Sequence, residues 1–573
     1  MVENNEEQEE VELETQLDPS TDSGETLGSG GSEVVEGFSQ SYEDITRDEL
    51  LAFPPKAARE DWKVTRFPVS MEEFQQMSIA AQAPEPVEAM SKEEAGARED
   101  SSDDDDEEEN GTQETIVEVE AQEGETAPED DLGVQTESAA PSAAPSMVNS
   151  FEGIPATAWR PPDCTIAVGP SDVMLAVNSD LAGYSKSGTQ RFRWANMTAL
   201  FKKVTPSGTK IFDPRVAYDH YAKRWIVVTA ATRSSPQSSW FMLAVSQTSN
   251  PKGRYWVWRL DATRNGNTPT GNWGDYPMLG FDTQGIYITA NMFKFGGGFQ
   301  YSKLRILKKS EVYSGGSIKW YDFWGMKNSN GSTAFTIQPC IHFRGTGGNP
   351  SAYLINALWP SGSSLTLWTL KDPVGYWSGR TPGLSKKSVS CRNYNLPPDA
   401  QQKGTTVRIE TNDDRLLKAV YQYAGGVRRI WTTHTTKHTW SGDSEARTVV
   451  QWYEIDIGSK KVFQQNRYGA KGKYYFFPAI QIDSARNAYV VFGRSSSSLY
   501  AQLRFTGRKV TAPKHDLENS RLIKSGESSY TGGRYGDYFD ACRDGGNSSK
   551  VWMYGEYADS GGAWGTWVAG SKY

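Results

Sequence analysis

Five aspartates open similar stretches of this chain, and the residues around them are the best equipped in the sequence to do chemistry. Asp163, Asp213, Asp275, Asp414 and Asp537 each precede a short apolar or aromatic run, with Arg215, Arg415, Arg534, Trp273, Tyr276, Tyr535 and Tyr538 beside them. If one structural unit repeats, these carboxylates gather around a single opening. Such a ring could bind a polar ligand, or a hard cation such as calcium, which prefers oxygen ligands; no other cofactor is expected. Two carboxylates roughly 5 to 9 Å apart could also cleave a glycosidic bond, one as general acid and the other as nucleophile or base. Asp275 and Asp537 are the first candidates for that pair. The structural alternative is that each Asp caps turn N–H groups and pairs with a nearby Arg, as a repeated structural feature would.

Other reactive groups are sparse. A lyase acting on uronates would take a proton with His or Tyr, but only five histidines exist: His220, His342, His434, His438 and His515. His434 and His438 are four residues apart, which on a strand means one face and not a metal pair. No phosphate-binding loop, nucleophile elbow, HExxH or dinucleotide fingerprint is present. Cys164, Cys340, Cys391 and Cys542 match no zinc or CxxC spacing, so buried free thiols are expected.

The elements that must position the aspartates are read from an internal repeat. Trp273–Asp282 and Tyr535–Asp544 share an aromatic-Gly-Asp-Tyr start and a closing Asp, and an aromatic-rich strand follows each. The frame recurs at Phe212–Asp219, Phe477–Asp483, Gln338–Phe343 and Asp163–Val168, and more loosely at Asp414–Val420. Aligning Pro214, Pro277, Pro339, Pro478 and Phe539 gives steps of 63, 62, 139 and 61 residues, the long step containing the looser copy. Seven units follow, each with room for about four short strands. In the second these are expected at Arg215–Tyr218, Trp225–Thr229, Trp240–Ser246 and Tyr255–Leu260. The fold expected is an all-β propeller of seven four-stranded blades over residues 149–573, with a strand near Phe151–Trp159 completing the last blade. Two packed sandwiches are the rival, but they need no motif repeated seven times.

Charge divides the chain. Residues 1–150 contain 42 Asp and Glu but 7 Lys and Arg, a net of −35, while the rest carries +24. The arm, residues 1–148, is too acidic and too poor in apolar groups to fold alone, and disorder is expected, with short helices near Arg47–Leu51 and Met71–Met77 able to dock on a partner. The body holds 18 of the 19 Trp, which favours strands. No apolar run is long enough to span a membrane, and the first residues lack the basic and apolar segments of a secretory signal.

Several stretches carry a resemblance: Pro161–Pro170, Asp213–Asp219 with Arg224-Trp225, Ala244–Thr248, Asp275–Pro277, Asn487–Gly493, Arg534–Tyr538, and Gly555–Tyr557 with Trp564–Thr566. Together they resemble a family of bacterial, mostly exported β-propeller proteins that are similar in fold to the sialidase-like propellers and mostly lack an assigned activity. The resemblance covers residues 150–573 and none of the arm. It implies the fold and an extracellular or envelope setting, but no reaction. The absent signal departs from that pattern and leaves a cytoplasmic location open. A sialidase-type site would need an arginine cluster, which Arg215, Arg415 and Arg534 could supply, together with a tyrosine nucleophile.

The function expected from the sequence is a non-catalytic binding propeller. Its basic body would engage an anionic polymer such as an acidic polysaccharide, with the acidic arm as internal competitor; nucleic acid is not the expected partner. A glycoside hydrolase or polysaccharide lyase at the channel mouth and a structural component of an envelope or assembly are the alternatives.

Overall fold

The computed structural model describes residues 27–30, 35–41, 134–137, 144–343 and 351–573. The helices expected near Arg47–Leu51 and Met71–Met77 lie outside these residues, as does nearly all of the arm for which disorder was expected. The body is almost entirely strand; its helical pieces are Met197–Leu200, Lys309–Ser314 and the single turn Gly375–Ser378.

Strands that follow one another in sequence mostly pair up and down within the sheets. In the second repeat unit they are Lys210–Asp219, Arg224–Arg233, Ser238–Ser246 and Arg254–Asp261, covering all four expected positions. The inner strands touch one another in a closed ring. Thr165–Val168 meets Lys210–Asp219, which meets Asn272–Phe281, then Gln338–Pro339, Lys418–Ala424, Tyr474–Ile482 and Asp540–Arg543, which returns to Thr165–Val168. A ring of inner strands with sheets radiating from it is a propeller, and it excludes the two-sandwich alternative.

The expected seven separate blades are not what the hydrogen bonding shows. Five sheets of four or five strands stand apart, and the remaining large sheet has eleven strands. The cause is local. Ile341–Phe343 pairs in parallel with Phe281 on one side and with Val420–Gln422 on the other, welding the sheet of Asn272–Trp324 to that of Lys418–Gly469.

The sheets pack face to face, so their central strands are buried on both sides and read as continuous apolar runs rather than alternating ones; Asp172–Val177 is buried throughout. Trp194, Trp225, Trp258, Trp320, Trp368, Trp452, Trp552 and Trp564 are among the largest fully buried side chains. Each large ring fills the space between twisted sheets, and truncating one to Ala typically costs about 3 to 5 kcal/mol.

Pieces of the acidic arm add strands to outer edges. Leu27–Gly30 pairs with Tyr321–Trp324, Phe38–Ser41 with Arg254–Val257, and Gln135–Thr136 with Tyr468–Gly469. The last sheet closes as expected from the N-terminal side, though earlier than read from sequence: Ser146–Glu152 pairs with Trp567–Lys572. This strand begins within the stretch assigned to the arm. Among the described residues no helix is long and apolar enough to cross a membrane, and all four cysteines are free thiols.

A chain starting at residue 144 should melt cooperatively with the closing strand in place. A chain starting at residue 153 should melt about 10 °C lower or fail to fold, because one sheet then loses its outer strand and the ring its closure. Equal melting temperatures by calorimetry would refute closure by this strand.

Candidate functional site

Three inner strands break their ladders at the same place. Pairing skips Asp213-Pro214, Tyr276-Pro277 and Phe477-Pro478, where a proline supplies no N–H and the chain bulges. The first residue of each pair is left-handed, with φ of 52°, 52° and 51°; Asp163, Thr336 and Asn412 share this conformation at 56°, 47° and 63°. A side chain with Cβ pays roughly 1 kcal/mol there, so something must hold it.

Side chains from the neighbouring sheet do so. The Asp213 N–H donates to Asn178 Oδ1 at 2.8 Å, the Tyr276 N–H to Asp213 Oδ2 at 3.1 Å, the Thr336 N–H to Asn291 Oδ1 at 2.8 Å and the Phe477 N–H to Thr435 Oγ1 at 3.2 Å. Asp163 closes the ring, accepting from the Asp537 N–H at 3.1 Å and from Asn178 Nδ2 at 2.5 Å.

Four of the five expected aspartates therefore meet. Asp163, Asp213, Asp275 and Asp537 are at most 2 % exposed. Burial, then the carboxylates of Asp537 and Asp213, push Asp163 well above the usual carboxylate range. Burial, Asp275 and Asp537 do the same to Asp213. Asp275 is pushed up to about 7, by burial first and Asp537 second. Neither of its oxygens accepts a well-formed hydrogen bond; the Tyr276 N–H, which donates to Asp213, acts to lower it.

The arginines divide the work. Arg534 donates to both oxygens of Asp537, one at 2.5 Å. Burial alone would lower the Arg534 pKa, but the Asp537 and Asp163 carboxylates hold it above its ordinary value. Arg215 lies 3.3 Å from the Tyr538 ring centroid and donates from Nε to the Pro277 carbonyl. Arg415 pairs with Asp413, 2.6 Å from Nε, and faces the Tyr276 ring at 4.6 Å.

Three expected residues lie elsewhere. Asp414 is buried beside Asp413, and its carbonyl accepts from His434; Asn412, two residues earlier, reaches the cluster instead, donating to Asp537 at 3.3 Å. The looser repeat there hid the register. Trp273 stacks on Phe293, and Tyr535 packs edge-on to Phe476 and Tyr530. Glu556 was missed as a site residue: fully buried, its oxygens without hydrogen-bond partners, it is raised well above the carboxylate range by burial, Asp163 and Asp537. Its trace in the sequence is Gly536, where any Cβ would collide with Glu556 Oε1. Among the described residues no group of His, Cys, Asp or Glu is arranged to hold a metal ion.

The other end of the inner strands is open. A cavity of about 320 Å³ is lined there by Tyr218, His220, Phe281, Phe343, Lys418 and Arg543, among others. Between it and the acids, Lys418 and Asp540 form an ion pair at 2.7 Å, and the Thr165 hydroxyl donates to Asp540.

No protein-family model matches this chain, and no curated protein does. Among solved structures it is similar to a Dyadobacter fermentans protein of unknown function (10 % identity, 65 % of this chain and 97 % of that one, TM-score 0.34). It is also similar to the GH93 α-L-arabinofuranosidase of Fusarium graminearum (8 % identity, 61 % and 89 %, TM-score 0.28) and to a Trypanosoma rangeli sialidase (10 % identity, 70 % and 59 %, TM-score 0.31). The fold stands on the strand pairing itself.

A carboxyl held at about 7 when folded, but ionising near 4 when unfolded, keeps its proton in the folded state between those values. It favours the fold below pH ~4 and loses that contribution as pH rises through 7. Asp275→Asn should therefore gain stability over the natural chain on going from pH 4.5 to pH 8, by roughly 3 kcal/mol. A pH-independent difference in denaturant unfolding would show that Asp275 is ionised in the fold.

Proposed function

We propose that this protein is a non-catalytic binding propeller whose basic exterior engages an anionic polymer such as an acidic polysaccharide. We also read the eleven-stranded sheet, divided at Ile341–Phe343, as two further blades, which with the five separate sheets makes seven. One observation carries the functional reading: more than half of the body's acidic groups, but few of its basic ones, are buried. Among the described residues sixteen carboxylates are buried against ten Lys and Arg side chains, so the basic excess outside exceeds the +24 of the sequence. A surface of that sign concentrates polyanions and weakens its hold as salt rises.

The arm makes contact of the complementary kind. Glu137 is buried against the body, accepting from Arg494 at 2.7 Å and from the hydroxyls of Tyr475 and Ser520. Burial would raise its pKa, but Arg494 and these hydroxyls bring it below the usual value. An acidic tether docked on the body competes with an external polyanion at high local concentration.

The hydrolase reading at Asp275 and Asp537 has in its favour two carboxylates in one electrostatic neighbourhood, one of them raised to about 7. Against it stand their burial and the engagement of Asp537 by Arg534 and Asn412. Cleavage needs a substrate bond at both carboxyls.

The test is a column of immobilised acidic polysaccharide beside one of neutral glucan, with both glycans assayed for new reducing or unsaturated ends. Retention on the acidic matrix alone, lost with added salt and without new ends, is expected. New ends that vanish in Asp275→Asn would establish the enzyme. Removing residues 1–133, which leaves Glu137 and the closing strand, should strengthen retention at low salt; equal retention would exclude competition by that stretch.

A further inference from the structure

We propose that the cavity at the open end of the channel is a binding site for a small uncharged aromatic molecule bearing one hydroxyl or carbonyl. This is independent of the polyanion reading, which concerns the outer surface. The walls come from the ends of several inner strands, so the site exists only in the closed ring. Five ring-bearing residues contribute to them, Tyr218, His220, Tyr221, Phe281 and Phe343, with the aliphatic Ile166, Val168, Val216 and Ile341. A volume of about 320 Å³ suits a one- or two-ring molecule.

The Lys418 and Asp544 charges at the walls are matched by ion pairs within the protein, and the Arg543 guanidinium is engaged by backbone carbonyls and a ring, which argues for an uncharged guest. Lys418 pairs with Asp540 at 2.7 Å, and Asp544 with Lys186 at 2.6 Å. Asp544 also accepts from the Trp552 indole and the N–H groups of Gly546 and Asn547. Arg543 donates to the carbonyls of Ile482 and Asp483 and lies 3.9 Å from the Phe343 ring centroid. Part of the lining is polar: Ser484 and Ser548 lie side by side there, the Ser484 N–H donating to the Ser548 carbonyl, and among the described residues their hydroxyls make no hydrogen bond. Two hydroxyls can satisfy one polar group. A monosaccharide would bring several hydroxyls against apolar walls, each costing free energy if left unpaired.

The floor is set by the Lys418 side chain, which also lines a space of about 20 Å³ deeper along the axis, beside Arg215 and Asp540. A guest ring therefore stops at Lys418 and does not reach the buried acids.

The experiment is titration of the full-length protein with p-cresol, benzoate and glucose, followed by calorimetry and ligand-observed NMR. For a ligand of this size a Kd of about 1 mM is expected for p-cresol, with benzoate at least tenfold weaker and glucose silent. Ser548→Trp, at the exposed rim, should abolish p-cresol binding with the melting temperature and polysaccharide retention unchanged. Ser484→Ala should weaken binding several-fold. The proposal is overturned if p-cresol does not bind, if benzoate or glucose binds as tightly, or if Ser548→Trp binds p-cresol as well as the natural chain. Loss of polysaccharide retention alone would strike the surface reading and leave this one standing.

Discussion

The structure depends on satisfying backbone N–H groups where the inner strands bulge. A propeller brings many strand ends to one axis, and there the ladder bonds run out. Each bulge places a non-glycine residue in the left-handed region, a conformation that survives only when its surroundings hold it. Asn178, Asp213, Asn291 and Thr435 provide that hold, each reaching into the next sheet, and Asp163 accepts from the Asp537 N–H in the same manner. The same bonds fix each residue's conformation and tie neighbouring sheets together.

This solution has an electrostatic consequence. Carboxylates that cap N–H groups beside one another at the axis repel, and burial amplifies the repulsion. Burial and this repulsion push Asp275, in the same cluster, up to about 7, and Arg534 and Arg215 oppose the repulsion. Committing acids to the interior also leaves the exterior basic. The basic surface of the body and the stitched axis are thus two sides of one distribution of charge, and the open aromatic cavity lies at the end of the channel where no such cluster forms.

The sequence was most legible where local chemistry and fold agree. The Pro that follows Asp213, Tyr276 and Phe477 marks a bulge, and an aromatic-rich strand follows each, so the unit boundaries and all four strands of the second unit could be read directly. It was least legible at Asp414, where only a degenerate copy of the motif remains and the side chain that reaches the axis belongs to Asn412. Glu556 was hidden for another reason: it lies on the second strand of its sheet, where nothing in its neighbours announces a buried charge.

By itself the sequence determined the all-β repeat, the place of the closing strand to within a few residues, the gathering of Asp163, Asp213, Asp275 and Asp537, and the opposition of acidic arm and basic body. These follow from spacing and composition, which are properties of the chain. Only the tertiary structure decided that the gathered acids are sealed rather than open, that Ile341–Phe343 joins two sheets into one, and that the accessible cavity lies at the other end of the axis. Those depend on which neighbouring strand each backbone donor and carboxylate meets across the ring, and partners as far apart as Asp163 and Asp537, separated by 374 residues, leave no local mark.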